Sequence, residues 1–330
     1  MTSIQQADPV RRALLGALAG ATALGSPLAA IAQGLSTRPI RMVLAQTPGT
    51  SPDLIARTLA PRFQALWGQA VVVENRAGAA GAIGLEALAH APADGHTITI
   101  NPSSTLTLPL FFPLNFDLLN GLRPITIVGD NIFVLTVHAD TPGKDLRDFL
   151  AWAKTQGGKV NYGSPGNGTH HHLFMEQFKL VAGVPMTHIP YKGSAQAFTD
   201  LLGGQITAMF VPVGAAINMA KDGRVRILGG SSRERSPLTP DIPSIAEQGV
   251  PGFDMNAWFS ALVPAATPPE LVARWNALFR TVLSEAPVRD ALGKQGIRII
   301  ANSPEEADRV TRAEYQRFVQ LVKATNIKGD

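Results

Sequence analysis

The sequence predicts an α/β protein made of two lobes, each a doubly wound sheet flanked by helices, with a ligand cleft between them. Strand-like and helix-like stretches alternate from residue 40 to residue 100 in the order β-α-β-α-β, which is typical of a parallel sheet with helices on both faces. The alternation resumes between residues 145 and 229. Strand-like runs near 129–132 and 255–262 connect the two halves, so we expect each half to have its own sheet.

The chain has 330 residues, which suffices for two medium-sized domains with buried cores. We assign residues 33–128 and 258–330 to lobe 1 and residues 129–257 to lobe 2. The chain then crosses between the lobes twice, and its C-terminal part returns to lobe 1. In this interpretation Gly129, Asp130 and Asn131 separate two strands, 125–128 and 132–137.

Hydrophobic periodicity and turn residues indicate the individual elements. Residues 53–67 place apolar side chains on one helical face, and Gly68 ends that helix. A helix over 79–89 contains most of the run GAAGAIG, whose spacing is not that of a dinucleotide-binding fingerprint. The other predicted strands are 40–44, 71–74, 97–100, 160–162, 186–191, 206–211, 225–229, 257–263 and 297–300, and the other predicted helices are 145–154, 170–181, one ending near 202, 215–221, 268–283, 288–295 and 303–325.

Composition argues against several classes of protein. The chain has no cysteine, so disulfides, thiol nucleophiles and cysteine-bound metals are excluded. A net charge of +4 arises from 29 basic and 25 acidic residues without a long basic run, so we predict no nucleic-acid partner. No stretch of about 18 apolar residues follows residue 35, and we expect the mature protein to be soluble.

Residues 1–32 have the three-part layout of an export signal. Arg11 and Arg12 precede an apolar stretch, 13–24, and Ala30, Ile31 and Ala32 form a small-x-small cleavage site. The apolar stretch is too short to span a bilayer. We predict cleavage after residue 32 and a periplasmic location, and the paired arginines leave the general and twin-arginine export routes both open.

Loops rich in backbone donors follow several predicted strands. Segment 44–57 runs from a strand through a turn of Thr, Pro, Gly and Ser residues into a helix. Free N–H groups beside a positive helix end favour an anion such as a carboxylate, although an ordinary capped helix start has the same composition. Similar loops occupy 101–105, 163–169 and 191–194. Because ligands lie beyond the carboxyl ends of parallel strands, we expect these loops to share a site.

The run His170, His171 and His172 is the main argument for an enzyme. Adjacent helical residues point about 100° apart, so three consecutive imidazoles do not converge on one tetrahedral ion. No HExxH, GxSxG or Walker A sequence occurs, and no carboxylate pair is arranged for acid–base chemistry. We predict no catalysis, no metal and no cofactor, and keep an exported hydrolase or metalloenzyme that uses these histidines as the alternative.

Five stretches in order resemble the Bug-type periplasmic solute receptors of tripartite tricarboxylate transporters: RPIRMVLAQTPGTSPDLIARTLAPRF, VVVENRAGAAGAIGLEALAHAPADGHTI, VNYGSPGNGTHHHLFMEQF, HIPYKGSAQAFTDLLGGQI and PDIPSIAEQGVPGFDMNAWFSALVPAATP. The resemblance covers nearly the whole mature chain. It implies a Venus-flytrap, periplasmic-binding-protein type II-like fold and capture of a small organic acid for membrane transporter subunits. We expect a monomer. A ligand sensor for a signalling partner would use the same lobes and stays open.

The resemblance also implies which residues hold the ligand. In such receptors, backbone N–H groups and ordered water at loops of both lobes bind a carboxylate. The corresponding residues of lobe 1 are Thr47, Pro48, Gly49, Thr50, Asp53, Ser103, Ser104 and Thr105. Those of lobe 2 are Ser164, Gly168, Thr169, His170, Tyr191 and Lys192. Direct ligand contact by Lys192 or by His170 stays open.

Two departures from the family pattern bear on the ligand. Pro48 stands where a second glycine is usual, which removes an N–H donor. Val211 and Pro212 stand where acidic or amide residues are frequent. Both changes would make the pocket less polar, so we predict a di- or aromatic carboxylate with an apolar or aromatic body and no ammonium group.

Overall fold

A computed structural model describes residues 38–327, so the predicted export signal lies outside the described residues. The strands are β1 (Ile40–Leu44), β2 (Val71–Asn75), β3 (Thr97–Pro102), β4 (Leu122–Asn131), β5 (Phe133–His138), β6 (Asn161–Ser164), β7 (Thr187–Pro190), β8 (Ala208–Pro212), β9 (Val225–Gly230), β10 (Ala257–Pro264) and β11 (Ile297–Ile299). The α-helices are α1 (Ser51–Trp67), α2 (Ala82–Ala89), α3 (Leu108–Phe111), α4 (Leu146–Thr155), α5 (His170–Ala182), α6 (Ser194–Leu202), α7 (Val213–Lys221), α8 (Pro269–Ser284), α9 (Ala286–Lys294) and α10 (Pro304–Thr325). Two short 3₁₀ helices span Ala79–Gly81 and Ser103–Thr107.

The first sheet, which with its helices forms lobe 1, has the strand order β11-β4-β10-β3-β1-β2. β1 pairs in parallel with β2 and β3, as the β-α-β-α-β rhythm predicts. β10 lies antiparallel between β3 and β4, with Ser260 opposite Asn101 on one side and Ile127 on the other. The C-terminal part of the chain therefore returns to the first sheet.

The second sheet, which with its helices forms lobe 2, has the strand order β7-β6-β8-β5-β9. β6 pairs in parallel with β7 and β8, whereas β5 is antiparallel to β8 and β9. Tyr162 and Phe210 lie in its fully buried core. The predicted α/β fold with two sheets is confirmed.

The first crossing between the sheets differs from the prediction. Gly129, Asp130 and Asn131 do not form a connection: they continue β4 and pair with β10 and β11. Ile132 alone separates β4 from β5. The sequence interpretation failed because a glycine and two polar residues indicate a turn, while here neighbouring strands on both sides satisfy their backbone groups.

The predicted helix over 79–89 is also wrong in its first turn. Ala79 and Ala80 have φ of 46° and 52° and belong to the 3₁₀ turn, so the α-helix begins only at Ala82. Gly84 explains the placement of α2, because a Cβ there would lie 2.5 Å from Ala45 Cα. The helix therefore packs directly on the backbone after β1.

One apolar core is continuous between the two lobes. Leu106 and Leu122 of lobe 1 belong to the same buried cluster as Phe133 and Phe174 of lobe 2. A second cluster lies on the opposite side of the first sheet, where Phe63 of α1 packs edge-on against α8. The lobes are thus in contact along an apolar seam, and the loops at their facing edges lie close together.

Candidate functional site

Three loops meet at the carboxyl ends of the parallel strands of lobe 1. They follow β1, β2 and β3, as parallel pairing requires. Gly81, after β2, shows how close they are: a Cβ there would lie 3.4 Å from both Gln46 Nε2 and Thr105 Cγ2. The first two predicted site segments of the sequence therefore lie on one edge.

The loop before α1 is organised by Asp53. The Gly49 N–H donates to Asp53 Oδ2 at 2.9 Å, Arg57 Nε donates to Oδ1 at 3.0 Å, and Asn75 Nδ2 donates to Oδ1 at 3.0 Å. Burial of Asp53 alone would raise its pKa, but these hydrogen bonds outweigh it and lower the pKa below its usual range. Because its carboxylate is already engaged by three donors, Asp53 positions the loop.

The other members of this loop stand at its outer surface. Thr47, Pro48 and Gly49 are exposed, and Thr50 is half-buried. Thr50 Oγ1 donates to the Thr47 carbonyl at 2.8 Å, and its extended backbone precedes the first turn of α1. The first N–H groups of a helix have no partner within the helix, so this turn offers donors at the lobe edge.

The 3₁₀ turn after β3 carries the second set of predicted residues. Ser103 is 1% exposed, and Ser104 is half-buried. The hydroxyl of Thr105 donates to the Pro102 carbonyl at 2.9 Å and accepts from the Asn101 amide. Thr105 is therefore engaged within its own lobe.

The glycine-rich loop after β6 is held by two histidines. Ser164 is fully buried, accepts the Gly166 N–H at 3.1 Å, and lies 2.6 Å from His188 Nε2. The Gly168 N–H donates to His172 Nδ1 at 3.2 Å. Thr169 Oγ1 donates to the Gly166 carbonyl at 2.8 Å. The hydroxyls of Ser164 and Thr169 thus stabilise the loop by hydrogen bonds to its own backbone at Gly166.

Tyr191 and Lys192 follow β7 on the same edge of lobe 2. The Tyr191 hydroxyl donates to Asp200 Oδ2 at 2.8 Å, and burial together with this bond raises its pKa to about 12. Lys192 is exposed, and its side chain forms no hydrogen bond or ion pair with any of residues 38–327. Its ammonium is therefore available to an anion.

His170 brings the two lobes together. Its Nε2 lies 2.8 Å from Ser103 Oγ and accepts the Ser104 N–H at 3.0 Å. The ring packs against Phe133 and Phe174, with centroid distances of 5.8 and 5.5 Å. Burial and the neighbouring His171 lower the pKa of His170 to about 3, so the ring is neutral and Nε2 is an acceptor.

The three consecutive histidines point to three different places. His170 contacts lobe 1, His171 packs edge-on against Phe133 at 4.9 Å, and His172 stacks on His188 at 3.9 Å. In the described part of the chain, no group of three or more His, Cys, Asp or Glu side chains could hold a metal ion. Nor is any helix in that part long and apolar enough to cross a membrane.

A buried polar cluster behind the glycine-rich loop was missed at the sequence level. Tyr162 donates to Glu176, which also accepts from Lys179 Nζ at 2.5 Å, and His172 Nε2 lies 4.0 Å from the same carboxylate. Burial lowers the pKa of His172 to about 4 and that of His188 to about 3. The i,i+4 spacing of His172 and Glu176 could have indicated this pair from the sequence. His188, however, reaches the cluster only because β7 pairs with β6 in the folded protein.

Val211 does not line the site, contrary to the sequence interpretation. It is fully buried among Ala197, Leu201 and Met209 in the core beneath α6 and α7, and Pro212 is half-buried. In a strand, neighbouring side chains face opposite ways, and Phe210 belongs to the other core. Of the residues in the two departures from the family pattern, Pro48 is exposed in its loop, Pro212 is half-buried at the end of β8, and Val211 alone is in the core.

Lobe 1 also contains a small cavity under the 3₁₀ turn. It has a volume of about 20 Å³ and is lined by side chains that include Asn101, Thr105, Trp258 and Asp308. That is room for one water molecule, whereas an organic acid needs a larger space. This cavity is therefore not the candidate ligand site, which we place at the junction of the facing loops, where Ser103 and Ser104 meet His170.

Two α/β lobes with donor-rich loops on facing edges define a solute-binding protein. The family model described as the tripartite tricarboxylate transporter family receptor matches residues 55–327. Protein BugT of Bordetella pertussis is 33% identical over 319 residues, covering 96% of this chain and 97% of BugT. The chain belongs to this family of receptors.

Solved structures of two proteins are similar to this chain over most of its length. A Rhodopseudomonas palustris protein, Rpa4515 with adipate, has a TM-score of 0.83 and 28% identity, covering 90% of this chain and 100% of its own. MatC from the same organism, with bound malate, has a TM-score of 0.79 and 26% identity, covering 87% of this chain and 100% of its own. The sequence-level resemblance and the two-lobed fold are confirmed.

Proposed function

We propose that this receptor is exported to the periplasm, binds a small organic carboxylate between its lobes and delivers it to the membrane subunits of a tripartite tricarboxylate transporter. The observation that carries the proposal is the junction of Ser103, Ser104 and His170, where loops of both lobes meet in hydrogen-bonding distance. Relatives with the same fold bind adipate and malate. The role is binding without catalysis.

The charges at the facing edges support an anionic ligand. Lys192 is an exposed cation on the lobe 2 edge, and the start of α1 supplies a positive helix end on the lobe 1 edge. The carboxylate of Asp53 already accepts hydrogen bonds from Gly49, Arg57 and Asn75. We therefore propose a ligand whose carboxylate meets these donors and which carries no ammonium group, because Asp53 is not available to pair with one.

Thermal unfolding with a panel of acids tests the function. The mature protein is heated with adipate, malate, benzoate or aspartate, and binding is then measured by calorimetry. An acid present at 100 times its dissociation constant adds about 2.7 kcal/mol to the free energy of unfolding, which raises the melting temperature by several degrees. Adipate, malate or benzoate, which carry no ammonium group, should do so. Tight binding of aspartate with no response to the other acids would contradict the proposed ligand class.

A further inference from the structure

The imidazole of His170 occupies donors that the carboxylate site was predicted to use. A backbone N–H only donates, so the bond from Ser104 requires Nε2 to carry a lone pair and places the ring proton on Nδ1. Ser103 Oγ is also within hydrogen-bonding distance of Nε2, at 2.8 Å. A single acceptor atom of lobe 2 therefore contacts both the Ser103 hydroxyl and the Ser104 N–H of lobe 1.

The contact is enclosed and held in place. Ser103 is 1% exposed and His170 is 5% exposed. The ring packs against Phe133 and Phe174 of its own lobe, and its Nε2 faces Ser103 and Ser104 of lobe 1. Beside it, Gly168 touches lobe 1 so closely that a Cβ would lie 3.0 Å from both the Phe111 ring and Thr107 Oγ1. The facing edges therefore meet at two neighbouring points.

We propose that His170 is a built-in competitor of the ligand: it joins the lobes by occupying the Ser103 and Ser104 donors, and a carboxylate that binds there displaces it. A carboxylate oxygen is an acceptor like Nε2, but its charge makes the hydrogen bond stronger. The Ser104 N–H cannot serve both acceptors at full strength. This inference rests on the proposed carboxylate-binding function and assigns Ser103 and Ser104 as the donors over which the ligand and His170 compete.

The test compares His170→Ala with His170→Gln. Alanine removes the acceptor, whereas glutamine keeps one at a similar reach along the side chain. Removing a competitor worth about one net hydrogen bond should tighten binding of adipate, malate or benzoate by about three- to tenfold, and the glutamine variant should stay near the wild type. His170→Ser serves as a second truncation in case the alanine variant does not fold.

Hydrogen exchange of the Ser104 amide reports on the contact without relying on affinity. In the protein without added acid, His170→Ala should exchange this amide faster than the wild type, and a saturating acid should slow the exchange again. A general loss of stability would instead speed exchange at many amides, and the acid would slow all of them together.

The outcomes separate the inference from the function. Carboxylate affinity that is unchanged or weaker in both truncations, or a Ser104 amide whose exchange does not respond, would overturn the competition while leaving the receptor function intact. Absence of binding by every acid to the wild type and to the truncations would contradict the carboxylate function itself, and the competition with it.

Discussion

At the scale of single residues, the predicted site divides into groups that face outward and groups that hold the loops. Asp53, Ser164 and Thr105 have their polar atoms engaged within their own lobes, whereas Thr47 and Lys192 are exposed at the lobe edges. Spacing in the sequence does not distinguish these roles, because both kinds of residue belong to the same short polar loops.

Replacement of Asp53 by Ala should destabilise lobe 1. Three donors lose a charged and buried acceptor, so the free energy of unfolding should fall by about 2–3 kcal/mol in urea titrations at pH 7. Because the pKa of Asp53 is lowered in the native state, its contribution is present above the usual pKa of the carboxyl and is lost as the pH falls through the lowered pKa. A variant as stable as the wild type would show that the loop does not depend on this carboxylate.

Replacement of Thr50 by Pro should weaken ligand binding while lobe 1 stays folded. The φ of Thr50 is −79°, which suits proline, and the substitution deletes one N–H at the start of α1. We expect calorimetry to show about tenfold weaker binding of the best acid of the panel, equivalent to one hydrogen bond to a charged group. Thr50→Ala, which keeps the N–H, is the control. Equal affinities of the two variants would show that this donor is not used.

At the scale of elements, helix ends follow local chemistry closely. Ser303 caps α10 by accepting the Glu306 N–H at 3.2 Å, with Pro304 at the first helical position. Asp145 caps α4 in the same way. The start of α2 and the end of β4 were wrong because packing against neighbouring elements decides them, and that packing is not local.

The close approach of α2 to the loop after β1 gives a prediction at this scale. Gly84→Ala should lower the free energy of unfolding by about 1–3 kcal/mol, because the new Cβ would overlap the Ala45 backbone. Gly293→Ala in α9 is the matched control: no atom lies within 4 Å of its Cβ position, and alanine is the better helix former by up to about 1 kcal/mol. Urea denaturation should move the two midpoints in opposite directions, and a neutral Gly84→Ala would contradict the close packing.

At the scale of the whole molecule, four histidines couple stability to pH: His170 and His172 are buried, and His171 and His188 are half-buried. Burial lowers the pKa to about 3 in His170, His171 and His188 and to about 4 in His172. In the unfolded chain each titrates near about 6.5. The unfolded state therefore binds more protons below that pH, and stability is full above it and falls as the pH drops toward 4.

The free energy of unfolding should fall by at most about 1.4 kcal/mol per pH unit for each histidine. Urea titrations between pH 7 and pH 5 measure this loss. Glu314 opposes the trend, since burial raises its pKa. His171→Phe is the control: neither ring nitrogen of His171 has a hydrogen-bond partner among residues 38–327, and phenylalanine can keep the packing on Phe133. This variant should lose stability less steeply with acid. A flat profile in the wild type would contradict the lowered pKa values of these four histidines in the native state.

The sequence by itself determined the two α/β lobes, the parallel pairing of β1 with its neighbours and the loops that form the facing edges, because hydrophobic periodicity and capping residues act over a few positions. Only the tertiary structure decided which polar groups remain available at those edges. Asp53 accepts hydrogen bonds from Gly49, Arg57 and Asn75. Val211 is buried in the core of lobe 2. His170 contacts Ser103 and Ser104 of the other lobe. Each of these outcomes depends on a partner brought close by folding, and the spacing of residues along the chain does not specify such partners.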